Sequence, residues 1–175
     1  MTPARRKTIR NHVQKLLEEH GVMTAPVPVE RIAKSMAQVR FSPLDDELSG
    51  MVYVKDDAPI IGVNALHHPN RQRFTMAHEC GHLVLHRPEI TKEIHVDKDY
   101  PTRLMRDAVS AAGVDEMEIE ANFFASELLM PASFLAESLN DEPFDIDDEA
   151  AVATLAKQYK VSASAMRFRL GNLLT

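Results

Sequence analysis

Residues 78–82 read His-Glu-Cys-Gly-His and contain the residue types that metal-dependent hydrolysis requires. If this segment is helical, His78 and His82 lie one turn apart on the same face, where both imidazoles can reach one ion. Two histidines and a third ligand suit a zinc site that keeps one position open for water. Glu79 stands beside the first histidine and can take a proton from that water. Since bound zinc lowers the pKa of water from about 15.7 to about 7, hydroxide becomes available at neutral pH.

The sequence around this motif predicts a buried helix. Residues 71–86 contain no proline and are apolar on almost every side, which is typical of a helix inside a core. Buried histidine and glutamate side chains need polar partners, because an unpaired buried polar group is costly. A metal ion would be such a partner, and the alternative is that the histidines are core residues satisfied by hydrogen bonds. Glycine within a helix costs about 1 kcal/mol relative to alanine, so we expect Gly81 to allow another backbone to approach closely.

Composition and charge exclude several classes of protein. The chain has 175 residues and a net charge of −6, which argues against a protein built mainly to hold nucleic acid. Apolar stretches are all shorter than 18 residues, so we expect no membrane span. The basic amino terminus is followed by an amphipathic helix rather than an apolar signal core, and Cys80 is the single cysteine. We therefore expect a cytoplasmic protein without an internal disulfide.

The periodicity along the chain predicts a mainly helical α+β fold in a single zincin-like domain spanning residues 1–175. Helical spacing of apolar residues marks helices before residue 20 and at 29–36. Alternating patterns at 39–41, 49–55 and 59–64 indicate strands, with Asp56-Asp57 as a turn. The predicted parts are N-terminal helices (1–38), a small antiparallel β-sheet preceding the metal helix (39–64), a zinc-site core (71–131) with a long connection (88–115, a helical piece at 102–112), and a C-terminal helical pair (148–174).

A third metal ligand decides the class of site. A histidine six residues after the second is excluded, because Pro88 occupies that position. His86 is a poor ligand, since three ligands spread over eight helical residues span about 12 Å and metal bonds are about 2 Å. We expect His86 to be a packing residue or to support a ligand.

The predicted helix at 116–130 offers better candidates. Glu118 and Asn122 share one face, so Glu118 could bind the ion while Asn122 accepts the second N–H of a ligating histidine. Glu120 lies roughly 200° around the helix from Glu118, so only one of them can ligate. We favour Glu118 and leave Glu120 open, and we expect Glu116 and Glu127 to be solvated.

Five segments of the chain resemble the ImmA/IrrE family of bacterial and phage metallopeptidases. Together they cover most of residues 8–172, and the metal-helix and glutamate-helix segments are the most specific. The segments are residues 26–33, 61–64, 73–86, 118–131 and 161–170.

The resemblance implies a zinc peptidase with a two-histidine, one-glutamate site, formed here by His78, His82 and Glu118. The best-known members cleave a helix-turn-helix repressor and so switch on DNA-damage or mobile-element genes. We expect no amino-terminal DNA-binding domain of the kind some members carry, so any DNA contact is expected through a partner. Cys80 stands where the family usually has an aliphatic residue, and we expect it to act as a small hydrophobe.

We therefore expect peptide-bond hydrolysis with Glu79 as general base and acid. The ligand set tolerates manganese as well as zinc. His95, Tyr53 and Tyr100 are candidates to stabilise the oxyanion. The predicted strand at 60–63 could pair with an extended substrate at the sheet edge.

Two alternatives of other classes remain. Residues 155–170 have the rhythm of a helix-turn-helix, with Arg167 and Arg169 on the second helix, although a plain helical hairpin fits an acidic domain better. The chain could also be a non-proteolytic interaction protein, such as one half of a toxin-antitoxin pair.

Overall fold

The computed structural model describes residues 1–45, 47–90, 95–98, 108–140 and 144–173, with the backbone alone at 95–98 and 108–115. Within these ranges the fold is α+β and mainly helical, as predicted. The elements are α1 (Pro3–Glu19), α2 (Val29–Met36), β1 (Gln38–Ser42), β2 (Leu48–Lys55), β3 (Ala58–Asn64), α3 (Pro69–Leu85), α4 (Arg87–Ile90), β4 (His95–Lys98), α5 (Ala108–Leu129), α6 (Ala132–Leu139), α7 (Glu149–Tyr159) and α8 (Ala163–Leu173). None of the described helices is long and apolar enough to cross a membrane.

The sheet has the strand order β1-β3-β2-β4 and is mixed rather than antiparallel. β2 and β3 form the predicted hairpin, and its turn residues Asp56 and Asp57 have φ values of 52° and 62°, as a tight hairpin turn requires. β1 runs parallel to β3, so the expectation of a wholly antiparallel sheet was wrong. The direction of β1 depends on the course of the segment that follows it, which strand periodicity does not encode.

β3 lies in the interior of the sheet, bonded to β1 on one side and β2 on the other. The expectation that residues 60–63 offer a free edge to a substrate was therefore wrong. Among the described strands the outer positions belong to β1 and β4. Any peptide that extends this part of the sheet must pair with one of those two strands.

α3 is the central helix of the fold, and it is buried as predicted. It begins at Pro69, where the His68 side chain accepts a hydrogen bond from the Asn70 backbone N–H at 3.2 Å. All nine residues from Thr75 to Leu83 are buried. β2 and β3 pack against α3, and so do α2 and α5. The core that contains α3 therefore surrounds the motif residues.

Gly81 is the point of close approach between α3 and α5. A Cβ atom at Gly81 would lie 3.2 Å from the Cα of Ala121 and 3.2 Å from the Cβ of Phe124. Those distances are tighter than an ordinary carbon–carbon contact. The prediction that this glycine admits a neighbouring backbone is confirmed.

The predicted long connection 88–115 lies only partly within the described residues. Residues 87–90 form α4, residues 95–98 form β4, and α5 begins at Ala108 rather than at 116. The helical piece expected at 102–112 overlaps α5 from Ala108 onward, and its remainder lies outside the described residues.

The C-terminal helices form a hairpin whose second helix is anchored in the core. Arg169 on α8 is 3% exposed, and its guanidinium donates to both carboxylate oxygens of Glu127 at 2.9 and 2.6 Å. Arg10 on α1 also donates to Glu127, at 2.8 Å. The expectation that Glu127 is solvated was wrong: its partners come from two distant helices.

Candidate metal centre

α3 and α5 bring two imidazoles and one carboxylate together. The Nε2 atoms of His78 and His82 lie 3.0 Å apart. The carboxylate of Glu118 lies 3.2 Å from His78 Nε2 and 3.4 Å from His82 Nε2. Among the described residues these three form the group of ligand-type side chains whose ligand atoms all lie within 4.8 Å of one another. Both histidines are buried and the Glu118 side chain is 30% exposed, so the group is open on the glutamate side.

Asn122 fixes the orientation of the first imidazole. Its side-chain oxygen lies 3.0 Å from His78 Nδ1. Because an amide oxygen only accepts hydrogen bonds, Nδ1 carries the proton and neutral His78 presents a lone pair at Nε2. Asn122 was predicted to accept the second N–H of a ligating histidine, and its oxygen lies against His78 of the motif.

His86 and Glu120 occupy the other side of the cluster. His86 Nδ1 lies 3.2 Å from His82 Nδ1, and His86 Nε2 lies 3.0 Å from Glu120 Oε2. Glu120 also accepts from Arg5 Nε at 2.7 Å and Nη2 at 2.6 Å. The Arg5 guanidinium, with a smaller contribution from His86, lowers the pKa of Glu120 to about 2 against the opposing effect of burial. Glu120 is therefore engaged away from the cluster, which leaves Glu118 as the glutamate that faces it.

This donor set fits a divalent metal. When neutral histidines are held with their Nδ1 protons outward, two nitrogen lone pairs and a carboxylate face one another within 3.4 Å. Such electron-pair donors repel each other, and a cation between them would remove that cost. Two imidazoles and a carboxylate with an open side are also the kind of ligand set used by zinc hydrolases.

Glu79 lies between the metal helix and β2. The residue is fully buried. A Cβ atom at Gly50 would lie 3.2 Å from Glu79 Oε1 and 2.8 Å from the Gly62 carbonyl oxygen, and it would clash with Thr75. Gly50 therefore allows β2 to lie directly against the carboxylate. Sequence reasoning missed this residue, although a glycine within a strand pattern indicates close approach of another group.

Gly50→Ala is expected to destabilise the protein by about 1–3 kcal/mol, because the added methyl group overpacks the contact with Thr75 and Glu79. Gly62→Ala is the matched control, since the tightest contact of its Cβ would be with the flexible Met51 side chain, at 3.0 Å, and the Met51 carbonyl oxygen would lie at an ordinary 3.9 Å. Chemical denaturation of both variants measures the difference. Equal stabilities for the two variants would show that β2 does not press on Glu79.

Cys80 is not a reactive thiol in this environment. It is fully buried, and burial together with the neighbouring Glu79 charge raises its pKa to about 12. The thiolate is the reactive form, so Cys80 stays protonated at neutral pH. Its surroundings agree with the expectation of a small buried hydrophobe.

The three candidates for oxyanion stabilisation differ in position. Tyr53 is three residues from Gly50 on β2, and because strand side chains alternate it lies on the face opposite the one that meets Glu79. His95 pairs in register with Val52, but its side chain lies outside the described part of the structure. Tyr100 lies outside the described residues. Tyr53 is therefore placed unfavourably for this role.

The fold and the cluster define the class of protein: an α+β domain with a two-histidine, one-carboxylate site on two packed helices. The family model for the IrrE N-terminal-like domain, a peptidase family, matches residues 33–171. The chain belongs to that family.

Two individual proteins are similar to this chain. It is 34% identical over 113 residues to the radiation response metalloprotease IrrE of Deinococcus radiodurans, a match that covers 63% of this chain and 30% of the relative. A solved structure named as a Mycobacterium tuberculosis transcriptional regulator superposes with a TM-score of 0.60 at 15% identity, covering 91% of this chain and 45% of that one. The second likeness shows the fold alone. This chain thus spans less than half the length of either protein.

Proposed function

We propose that this chain is a zinc-dependent endopeptidase that hydrolyses a peptide bond in a protein partner. The observation that carries the proposal is the convergence of His78, His82 and Glu118 within 3.4 Å, with the buried Glu79 following His78 directly in the sequence. Membership of a peptidase family and the likeness to a protein named as a metalloprotease support it.

In the proposed mechanism His78, His82 and Glu118 would hold the zinc ion. When bound, zinc would polarise the scissile carbonyl and lower the pKa of water from about 15.7 to about 7. Glu79 takes the proton from the attacking water and returns it to the leaving amine as general acid. Asn122 keeps the His78 ring in the orientation that ligation needs.

The substrate class we favour is a helix-turn-helix transcriptional repressor encoded near the gene for this chain. Support comes from the resemblance to repressor-cleaving peptidases, and the similar protein of Deinococcus radiodurans is named for a radiation response. DNA binding through the C-terminal helices is less well supported. Arg169 is buried against Glu127, and Arg167 donates from Nε to the Ile146 carbonyl at 3.2 Å, so at most one of the two guanidinium groups is accessible to a phosphate.

Co-expression with neighbouring helix-turn-helix proteins tests the substrate class. Full-length partner is expected to disappear with the wild-type chain and to persist with Glu79→Gln, and mass spectrometry should find one new amino terminus at the cut. Equal loss with both chains would contradict proteolysis by this site. Glu79-dependent cleavage of other proteins, with the repressor intact, would overturn the substrate class and leave the peptidase standing.

A further inference from the structure

We propose that Arg5, Glu120 and His86 form a hydrogen-bonded chain that sets the tautomer and ring orientation of His82, and so controls the metal affinity of the site. This inference rests on the proposed function, because it assumes that His82 is a metal ligand. The three residues act as positioning residues, since none of them lies in the donor cluster itself.

The direction of each hydrogen bond between Glu120, His86 and His82 follows from the Glu120 carboxylate. A carboxylate only accepts, so His86 Nε2 carries the proton that Glu120 Oε2 receives at 3.0 Å. With the His86 ring proton at Nε2, the lone pair is at Nδ1, which lies 3.2 Å from His82 Nδ1. His82 must donate from Nδ1, and its lone pair is at Nε2. That atom faces His78 and Glu118.

Burial makes this arrangement well defined. His82, His86 and Glu120 are at most 6% exposed, so water does not compete freely for these hydrogen bonds, and a low local dielectric strengthens them. Arg5 holds the Glu120 carboxylate in place with two parallel hydrogen bonds at 2.7 and 2.6 Å. Paired bonds of this kind fix geometry as well as charge.

The two histidines of the motif are thus supported differently. His78 Nδ1 lies directly against Asn122 on α5, whereas His82 Nδ1 is oriented through three residues that end on α1. α1 lies outside residues 33–171, the part of the chain that the family model matches. The hydrogen-bonded series that starts at Arg5 therefore links an element outside the matched domain to the proposed metal site.

Zinc affinity, measured by competition with a chromophoric chelator, tests the proposal. His86→Leu removes both hydrogen bonds and is expected to weaken binding by about 10- to 100-fold. His86→Gln is expected to rescue most of the loss, because its amide can accept from His82 and donate to Glu120. The absorption spectrum of the Co²⁺-loaded protein should change with His86→Leu and not with His86→Gln, a signature that loss of packing alone would not produce.

Arg5→Gln keeps the test informative even if His86→Leu fails to fold. It is expected to weaken zinc binding by roughly 3- to 10-fold, because Arg5 stands two residues further from His82 than His86 does. Arg10→Gln is the matched control. Arg10 also lies on α1 and donates to a glutamate of α5 at 2.8 Å, but that glutamate is Glu127, which is not part of the hydrogen-bonded series Arg5–Glu120–His86. Thermal unfolding of the metal-free proteins verifies folding.

Zinc affinity that is unchanged in both His86→Leu and Arg5→Gln would overturn the inference. So would equal weakening by Arg5→Gln and Arg10→Gln, because the effect would then be general loosening of the α1–α5 contact. Failure of the proposed function would look different: the wild-type chain itself would bind no zinc, or would bind it equally well after Glu118→Gln.

Discussion

Glu79→Gln is expected to lower the kcat/KM for peptide hydrolysis by at least about 10²- to 10⁴-fold, the usual contribution of a general acid–base residue. Glutamine has nearly the same shape as glutamate but cannot take a proton from water or deliver one to the leaving amine. The full burial of Glu79 against Gly50 supports this expectation, because bulk water has little access to this position and cannot readily take over the proton transfer. A partner protein or a peptide spanning its cut site serves as substrate.

Two controls separate chemistry from binding in that experiment. Glu89→Gln, at an exposed position on α4, should keep full activity. Zinc affinity of Glu79→Gln should equal that of the wild-type chain, because Glu79 is assigned no bond to the ion. Retention of more than about a tenth of the wild-type kcat/KM would exclude Glu79 as the general base.

Arg169→Met is expected to destabilise the protein by about 3–5 kcal/mol, the typical cost of removing one partner from a buried ion pair. Both Arg169 and Glu127 are less than 5% exposed. The substitution would leave Glu127 buried with only Arg10, whose side chain is 49% exposed. It would also remove the hydrogen bond from Arg169 Nε to the Met130 carbonyl at 3.0 Å.

Denaturant-induced unfolding of the metal-free protein measures this effect. Arg167→Met is the matched control on the same helix: its side chain is 44% exposed, so its loss should cost no more than about 1 kcal/mol. The double variant Arg169→Met with Glu127→Leu should recover much of the lost stability, because no buried charge is then left unpaired. Similar losses for Arg167→Met and Arg169→Met would contradict the role assigned to the ion pair.

Local patterns predicted most of the helices and strands, and they indicated which side chains would come together, for identifiable reasons. The interval of four residues between His78 and His82 requires only helical geometry, and the same geometry separated Glu118 from Glu120 on α5. Gly81 was informative because glycine inside a helix is destabilising relative to alanine. Its close contact with Ala121, where a Cβ atom would not fit comfortably, explains why glycine stands there.

Contacts between distant parts of the chain could not be predicted in this way. Glu127 has the pattern of a solvated helix residue, and its partners Arg10 and Arg169 are 117 and 42 residues away in sequence. The series of hydrogen bonds from Arg5 to His82 likewise joins α1 to α3 through α5. The parallel pairing of β1 with β3 depends on the path of the intervening chain, since strand periodicity is the same for either direction.

Zinc stoichiometry and affinity of the purified chain test the central claim most directly, with Glu118→Gln compared against Glu116→Gln. Glu116 is exposed and stands two residues earlier on the same helix, so the two variants lose the same charge from nearly the same place. We predict one zinc ion per chain for the wild type and for Glu116→Gln, and an affinity at least about 10²-fold lower for Glu118→Gln, since a ligand matters at least as much as the residues that support it. Equal affinity in the two variants, or no zinc bound by the wild-type chain, would contradict the assignment of His78, His82 and Glu118 as a metal centre.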